Sequence, residues 1–159
     1  MQFLMWLEET GLAVWVRESA SLLAYPTILL LHTIGLAIVV GISAGINLRL
    51  LGFAPGVPLS PLARLYPYMW TGFWINAVSG GALVVADASR ALTNPVFFIK
   101  MVLIALAVNN LRLLKPHLLA GAPAGAPRTP NRVRMLAFTS LVLWVAAITA
   151  GRLIAYISV

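Results

Sequence analysis

The chain of 159 residues contains no cysteine, which excludes disulfides, iron–sulfur clusters and thiolate metal sites and removes any cue to redox compartment. Charge is nearly as scarce. Four acidic and eleven basic side chains make up 9% of the residues, too few to cover a water-soluble domain of this length. Carboxylates are too sparse for paired acid–base work, and there is no Walker loop, zinc-helix motif or nucleophile elbow. The chain is therefore not expected to be an enzyme on its own.

What is present is apolar: 61% of residues are hydrophobic and the mean hydropathy is +0.95, so lipid is the expected solvent for most of the surface. The net charge of +7 could suggest nucleic acid, but the bases are scattered over loops between apolar runs and form no patch interleaved with aromatics, so no nucleic-acid partner is expected. Four runs, at about 22–51, 66–86, 95–114 and 133–157, meet the roughly 20 residues of helix that a hydrocarbon core requires. They are separated by the Pro- and Gly-bearing breaks "GFAPGVPLSP", "DASRALTNP" and "KPHLLAGAPAGAPRTPNR". The last of these is low-complexity and has no capacity to pack a core.

The predicted fold is all-α: an integral membrane four-helix bundle of up-down-up-down topology over residues 20–159, preceded by an interfacial amphipathic helix over residues 1–19. In that first segment Phe3, Leu4, Leu7, Gly11, Val14 and Trp15 share one helical face, with Glu8, Glu9 and Arg17 elsewhere. It carries two early glutamates and no early Lys or Arg, unlike a cleaved signal peptide, so it is expected to be retained. Close helix approach is expected at Gly41 and Gly45 of "GISAG" and at Ser79, Gly80 and Gly81.

Orientation follows from the bases near the span ends. With the N-terminus outside, the inner side holds Arg49, Arg64, Arg112, Lys115, Arg128, Arg132 and Arg134, against Arg17, Arg90, Lys100 and Arg152 outside. Both termini are thus expected on the periplasmic face of a bacterial inner membrane. Tyr66, Tyr68 and Trp70 then form the inner aromatic belt, and Trp6, Trp15 and Tyr156 the outer one.

Ionisable groups inside spans are candidates for function. His32 lies within "LLLHTIGLAIVVGISAGINLRLLG", two turns below Tyr25 on one stripe. Asn76, Gly80 and Asp87 share a face of the second span, Lys100 enters the third about one turn from its start, and Arg152 lies near the end of the fourth. Together His32, Tyr25, Lys100, Arg152, Asp87 and Asn76 outline an outward-facing polar pocket, with Asp87 the expected partner of a cation. His32 could bind a metal, a haem iron, a quinone carbonyl or a water, or could simply tie helices together. Lys100 and Arg152 could equally snorkel to headgroups. His117 belongs to the opposite side of the bilayer, which argues against haem held by both histidines.

The stretch "LHTIGLAIVVGISAGINLRLLG" resembles the first span of an uncharacterised family of small bacterial four-helix integral membrane proteins, and "NPVFFIK" resembles the start of that family's third span. The resemblance covers about residues 20–115 and matches His32, Arg49, Asn94, Pro95 and Lys100; Asn47 stands where the family often has an aspartate. It implies fold and location, not chemistry. More loosely, the histidine-bearing layout is similar to copper-resistance D-like proteins and b-type cytochromes, which implies copper or haem b at His32 as tests. The leading expectation is a small inner-membrane accessory, anchoring or oligomer-forming subunit with a protein partner or a second copy. A haem- or quinone-binding electron-transfer protein is the alternative, and a copper or small-solute permease the third.

Overall fold

A computed structural model describes residues 2–120, 129–154, 156 and 157. Residues 121–128 of the low-complexity segment, including Arg128 of the inner-side count, lie outside the described residues. Every regular element among them is a helix: α1 (Gln2–Glu8), α2 (Gly11–Glu18), α3 (Tyr25–Leu51), α4 (Leu59–Arg64), α5 (Tyr66–Ala86), α6 (Ala88–Thr93), α7 (Pro95–Leu119) and α8 (Asn131–Leu153). Four stretches are long and apolar enough to cross a membrane, namely α3, α4 with α5, α7 and α8, which is compatible with a multi-pass membrane protein.

Proline and glycine set the helix ends. Pro26, Pro67 and Pro95 occupy first-turn positions, where a missing N–H costs nothing. Gly52, with φ of 97°, closes α3 by donating to Arg49 O while Phe53 N donates to Leu48 O, a left-handed cap that glycine adopts without strain. At the start of α7, Asn94 Oδ1 accepts from Val96 N at 2.9 Å and its Nδ2 donates to Ile157 O at 2.7 Å, so this buried residue both caps the helix and ties down the tail.

α3 begins at Tyr25 instead of near residue 22, α8 spans Asn131–Leu153 instead of 133–157, and two further boundaries depart from the sequence expectation. α7 runs through Pro116 to Leu119 instead of stopping near residue 114. The proline removes one helical hydrogen bond, but Leu118 packs with Leu50, Leu59 and Val133, and that burial holds the last turn. The N-terminal segment is two helices, not one. Thr10 adopts extended geometry, its hydroxyl donates to Leu7 O and its oxygen caps Ala13 N, while Gly11 follows as a poor helix former. α2 buries Ala13 and Val16 and lies on α5; α1 lies on α6.

α3 packs against α5 and α8, and α7 packs against α8. Contacting residues run in opposite sense along each pair: Gly35 meets Gly72 and Asn76 while His32 meets Gly80, and Lys100 meets Gly151 while Asn110 donates to Leu136 O. The close approach is made by Gly35 and Gly72, not by the expected Gly41 and Gly45. A Cβ on Gly35 would lie 2.6 Å from Asn76 N and 2.7 Å from Gly72 O, whereas Gly41, Gly45 and Gly81 face open space. A glycine pair across two helices, invisible as spacing within one, decides the crossing.

The bundle is asymmetric along its length. At the end that carries α4, Ile46, Leu50, Leu59, Leu114, Leu118, Val133 and Ala137 form a closed core, and Lys115 and Arg112 lie over the Tyr66 and Trp70 rings at 5.5 and 5.7 Å, bridging α7 to α5. Midway along, Val39, Met69, Ala107, Leu111 and Trp144 form a second core cluster across the four long helices, and beyond it α7 keeps to α8. A cavity opens there.

Candidate functional site

The cavity, of about 410 Å³, lies among α3, α5, α7 and α8 and takes in four of the expected site residues: His32, Asn76, Lys100 and Arg152. Between them and the deeper Trp144 the lining is mostly apolar, including Leu36, Phe73, Ile104 and Ala147. Its layout is a charged mouth above an apolar shaft.

His32 is held by three features of α5. Its Nδ1 lies 3.0 Å from Asn76 O, and since a carbonyl only accepts, that nitrogen carries the proton of the neutral ring. Asn76 Nδ2 donates to His32 O at 2.8 Å and rests against the ring, 3.3 and 3.5 Å from its two nitrogens. Gly80 supplies the room: a Cβ there would lie 2.9 Å from His32 Cε1. The ring therefore ties α3 to α5 through Nδ1, while Nε2 has only the long 3.5 Å approach of Asn76 Nδ2.

Lys100 lies along Gly151, whose missing side chain leaves its path open, with Cε 3.7 Å from where a Cβ would be. Neither Lys100 nor Arg152 has an ion pair among the described residues, where the one salt bridge joins Arg17 to Glu18 at the N-terminal end. Asp87, expected as their partner, sits at the α5–α6 junction outside the cavity lining. It follows the last turn of α5, so the face it would share with Asn76 is broken there, its backbone leaving the helix with φ of −140°. Tyr25 is half exposed at the first residue of α3 and also stays outside the lining. Among the described residues the mouth thus carries two cations and no acid.

Sequence reading missed the α8 wall. Trp144, Ala147, Ile148 and Gly151 share one helical face, and the small residues at 147 and 151 leave space opposite Lys100. Trp144 is 3% exposed and its indole N–H has no hydrogen-bond partner among the described residues. Two other residues matched by the family resemblance have structural surroundings. Asn94 is the helix cap described above, and Arg49 is buried with its Nε donating to Val57 O, bracing the loop after α3.

A second polar cluster lies at the packed end. Asn47 is wholly buried, and its Nδ2 donates to Ser140 Oγ at 3.0 Å and Ser43 Oγ at 3.2 Å, joining α3 to α8; its Oδ1 has no partner. At the N-terminal end, Glu8 Oε1 accepts from both the N–H and the hydroxyl of Ser89 at 2.6 Å, capping α6 from α1. The Ser89 hydroxyl and N–H hold the Glu8 carboxyl below its ordinary value, with a smaller contribution from Arg17.

No group of three or more His, Cys, Asp or Glu side chains is gathered among the described residues, so His32 would be a single protein ligand to a metal. Comparison of the chain with family models, with curated proteins and with solved structures finds no match in any of the three.

Proposed function

We propose that the protein is a multi-pass membrane subunit, with no reaction of its own, that binds a lipid-soluble small molecule bearing a hydrogen-bond acceptor in the cavity around His32. One observation carries this reading: among the described residues, two cations without counter-ions and an imidazole whose Nε2 has only a 3.5 Å approach from Asn76 Nδ2 line an otherwise apolar cavity. Lys100 is half-buried and Arg152 exposed, so the cost of an unanswered charge falls mainly on Lys100. The opposite sense of contacting helices supports an up-down-up-down bundle, and the basic bias favours both termini on the outer side of an inner membrane. The cavity then opens in the outer half. α1 and α2 lie at that end with Phe3, Trp6 and Leu12 65%, 60% and 52% exposed, a surface suited to the interface, a partner or a second copy.

Washing the purified protein exhaustively with detergent should lower its unfolding midpoint, and adding back an organic extract of its membranes should restore it, since a ligand of the folded state stabilises by mass action. Ala147→Trp, which fills the shaft, should show neither change. A midpoint indifferent to both treatments in the wild type would remove the reading.

His32, whose Nε2 has only the 3.5 Å approach of Asn76 Nδ2, also favours a second reading, in which it would hold the iron of a haem b and Lys100 and Arg152 would answer the carboxylates. Among the described cavity residues only His32 could be such a ligand. His117 lies one residue before the packed Leu118 at the far end of α7. An absorption spectrum taken oxidised and dithionite-reduced, with metal analysis, decides this: a Soret band lost in His32→Ala supports haem, and a plain protein spectrum without metal eliminates it. A permease gains no support from the closed core at the α4 end.

A further inference from the structure

The reading just given leaves the ligand's class open, and three features of the cavity narrow it. The mouth has Lys100 and Arg152 with no acid beside them among the described residues, so the head it fits is an anion; guanidinium and ammonium together suit a carboxylate, which accepts from both. Below the mouth the shaft is apolar for some distance. Trp144 is seven residues from Gly151, about 10 Å along α8, and Phe73, Ile104 and Ala147 line the interval. α5 and α7 share the core cluster of Met69, Ala107 and Leu111, are bridged beyond it by Arg112 and Lys115, and are joined by α6 at the other end; between that cluster and α6 the two helices make little backbone contact. In a membrane that side faces acyl chains.

We propose that the cavity takes one long-chain carboxylate from the bilayer, its head on Lys100 and Arg152 and its chain running past Ile104 toward Trp144. This rests on the binding function proposed above. The size agrees: about 410 Å³ is near the lower end for ligand pockets, enough for a single chain and small for a two-chain lipid. His32 has a part in arrival. A lipid acid partitions into hydrocarbon in its protonated form, and its carboxyl O–H can donate to the Nε2 lone pair before the head reaches the cations.

The chain has five tryptophans, so a variant with Trp6, Trp15, Trp70 and Trp74 replaced by Phe reports on Trp144 alone. In nanodiscs, a fatty acid brominated at mid-chain should quench Trp144 well beyond the methyl ester of the same acid, which partitions alike but lacks the charge. Lys100→Gln with Arg152→Gln should weaken the acid about tenfold or more and leave the ester unchanged. Radiolabelled acid bound to the protein with all its tryptophans gives the same comparison should the four replacements disturb folding.

Equal quenching by acid and ester, or displacement of the acid by a quinone or a single-chain phosphate at lower concentration, overturns the carboxylate. If membrane extract still stabilises the wild type and not Ala147→Trp, the binding function stands without it. If the extract also has no effect, both fall.

Discussion

The two halves of the bundle are made from the same four long helices, yet they are built to different ends. Near α4, interlocking Leu, Ile, Val and Ala side chains close the space between helices, and the polar groups there are spent on the structure: Asn47 joins two helices and Arg49 braces a loop. Near α2, glycines replace side chains where a ring or a stem must pass. Gly80 admits the His32 imidazole and Gly151 the Lys100 stem, and a cavity remains. In a membrane, where helix association is driven by packing and not by expulsion of water, an unfilled half is a cost that the packed half must offset. Ionisable groups gathered in the costly half are what makes that half the candidate for function.

The contrast can be broken most severely at the crossing of α3 and α5. Gly35→Val should cost about 3 kcal/mol, because the new side chain meets the α5 backbone at Gly72 and Asn76, while Gly41→Val, facing open space, should change stability by less than about 0.5 kcal/mol. Unfolding midpoints in detergent compare them directly. A smaller difference is expected between the halves themselves. Leu114→Ala, in the closed core, should lose about 2 kcal/mol, and Ile104→Ala, on the cavity wall, less than about 1 kcal/mol because its neighbours are already missing on one side. Equal losses would mean that the cavity is filled by protein.

Asn47→Ala should be milder still, at about 0.6 kcal/mol, the average for a hydrogen bond between membrane helices. The smallest effect concerns the N-terminal helices. Because the Glu8 carboxyl is held below its ordinary value of 4.5 in the folded protein, its contribution is complete above that pH and is lost as pH falls through the lowered value. Protease cleavage within α1 should therefore rise under acid conditions at unchanged overall fold, and Glu8→Gln should show the raised cleavage at neutral pH.

How much of this was legible in the sequence follows from what kind of signal each feature leaves. Span number and most helix ends were readable, since Pro26, Pro67, Asn94–Pro95 and Gly52 punctuate long apolar runs. His32, Asn76, Lys100 and Arg152 were found as polar residues in apolar surroundings, and the structure places all four on one cavity. Tyr25 and Asp87 misled because helical periodicity was carried to the ends of α3 and α5, where the backbone begins or stops being a helix. Gly35 and Gly72 were hidden because their meaning lies in the pairing of two helices. The Thr10 break was hidden because the apolar face of the segment runs through it. Trp144 was unreadable as a site residue because an apolar residue on an apolar helix carries no contrast.

The most direct measurement is mass spectrometry of the small molecules that the protein keeps through purification from its own membranes, set beside those kept by Ala147→Trp and by the Lys100→Gln, Arg152→Gln double variant. About one acceptor-bearing amphiphile per chain in the wild type, reduced about tenfold in both variants, is the expected result. The same molecules in the same amounts from all three proteins would contradict the claim that the open half of the bundle is a binding site.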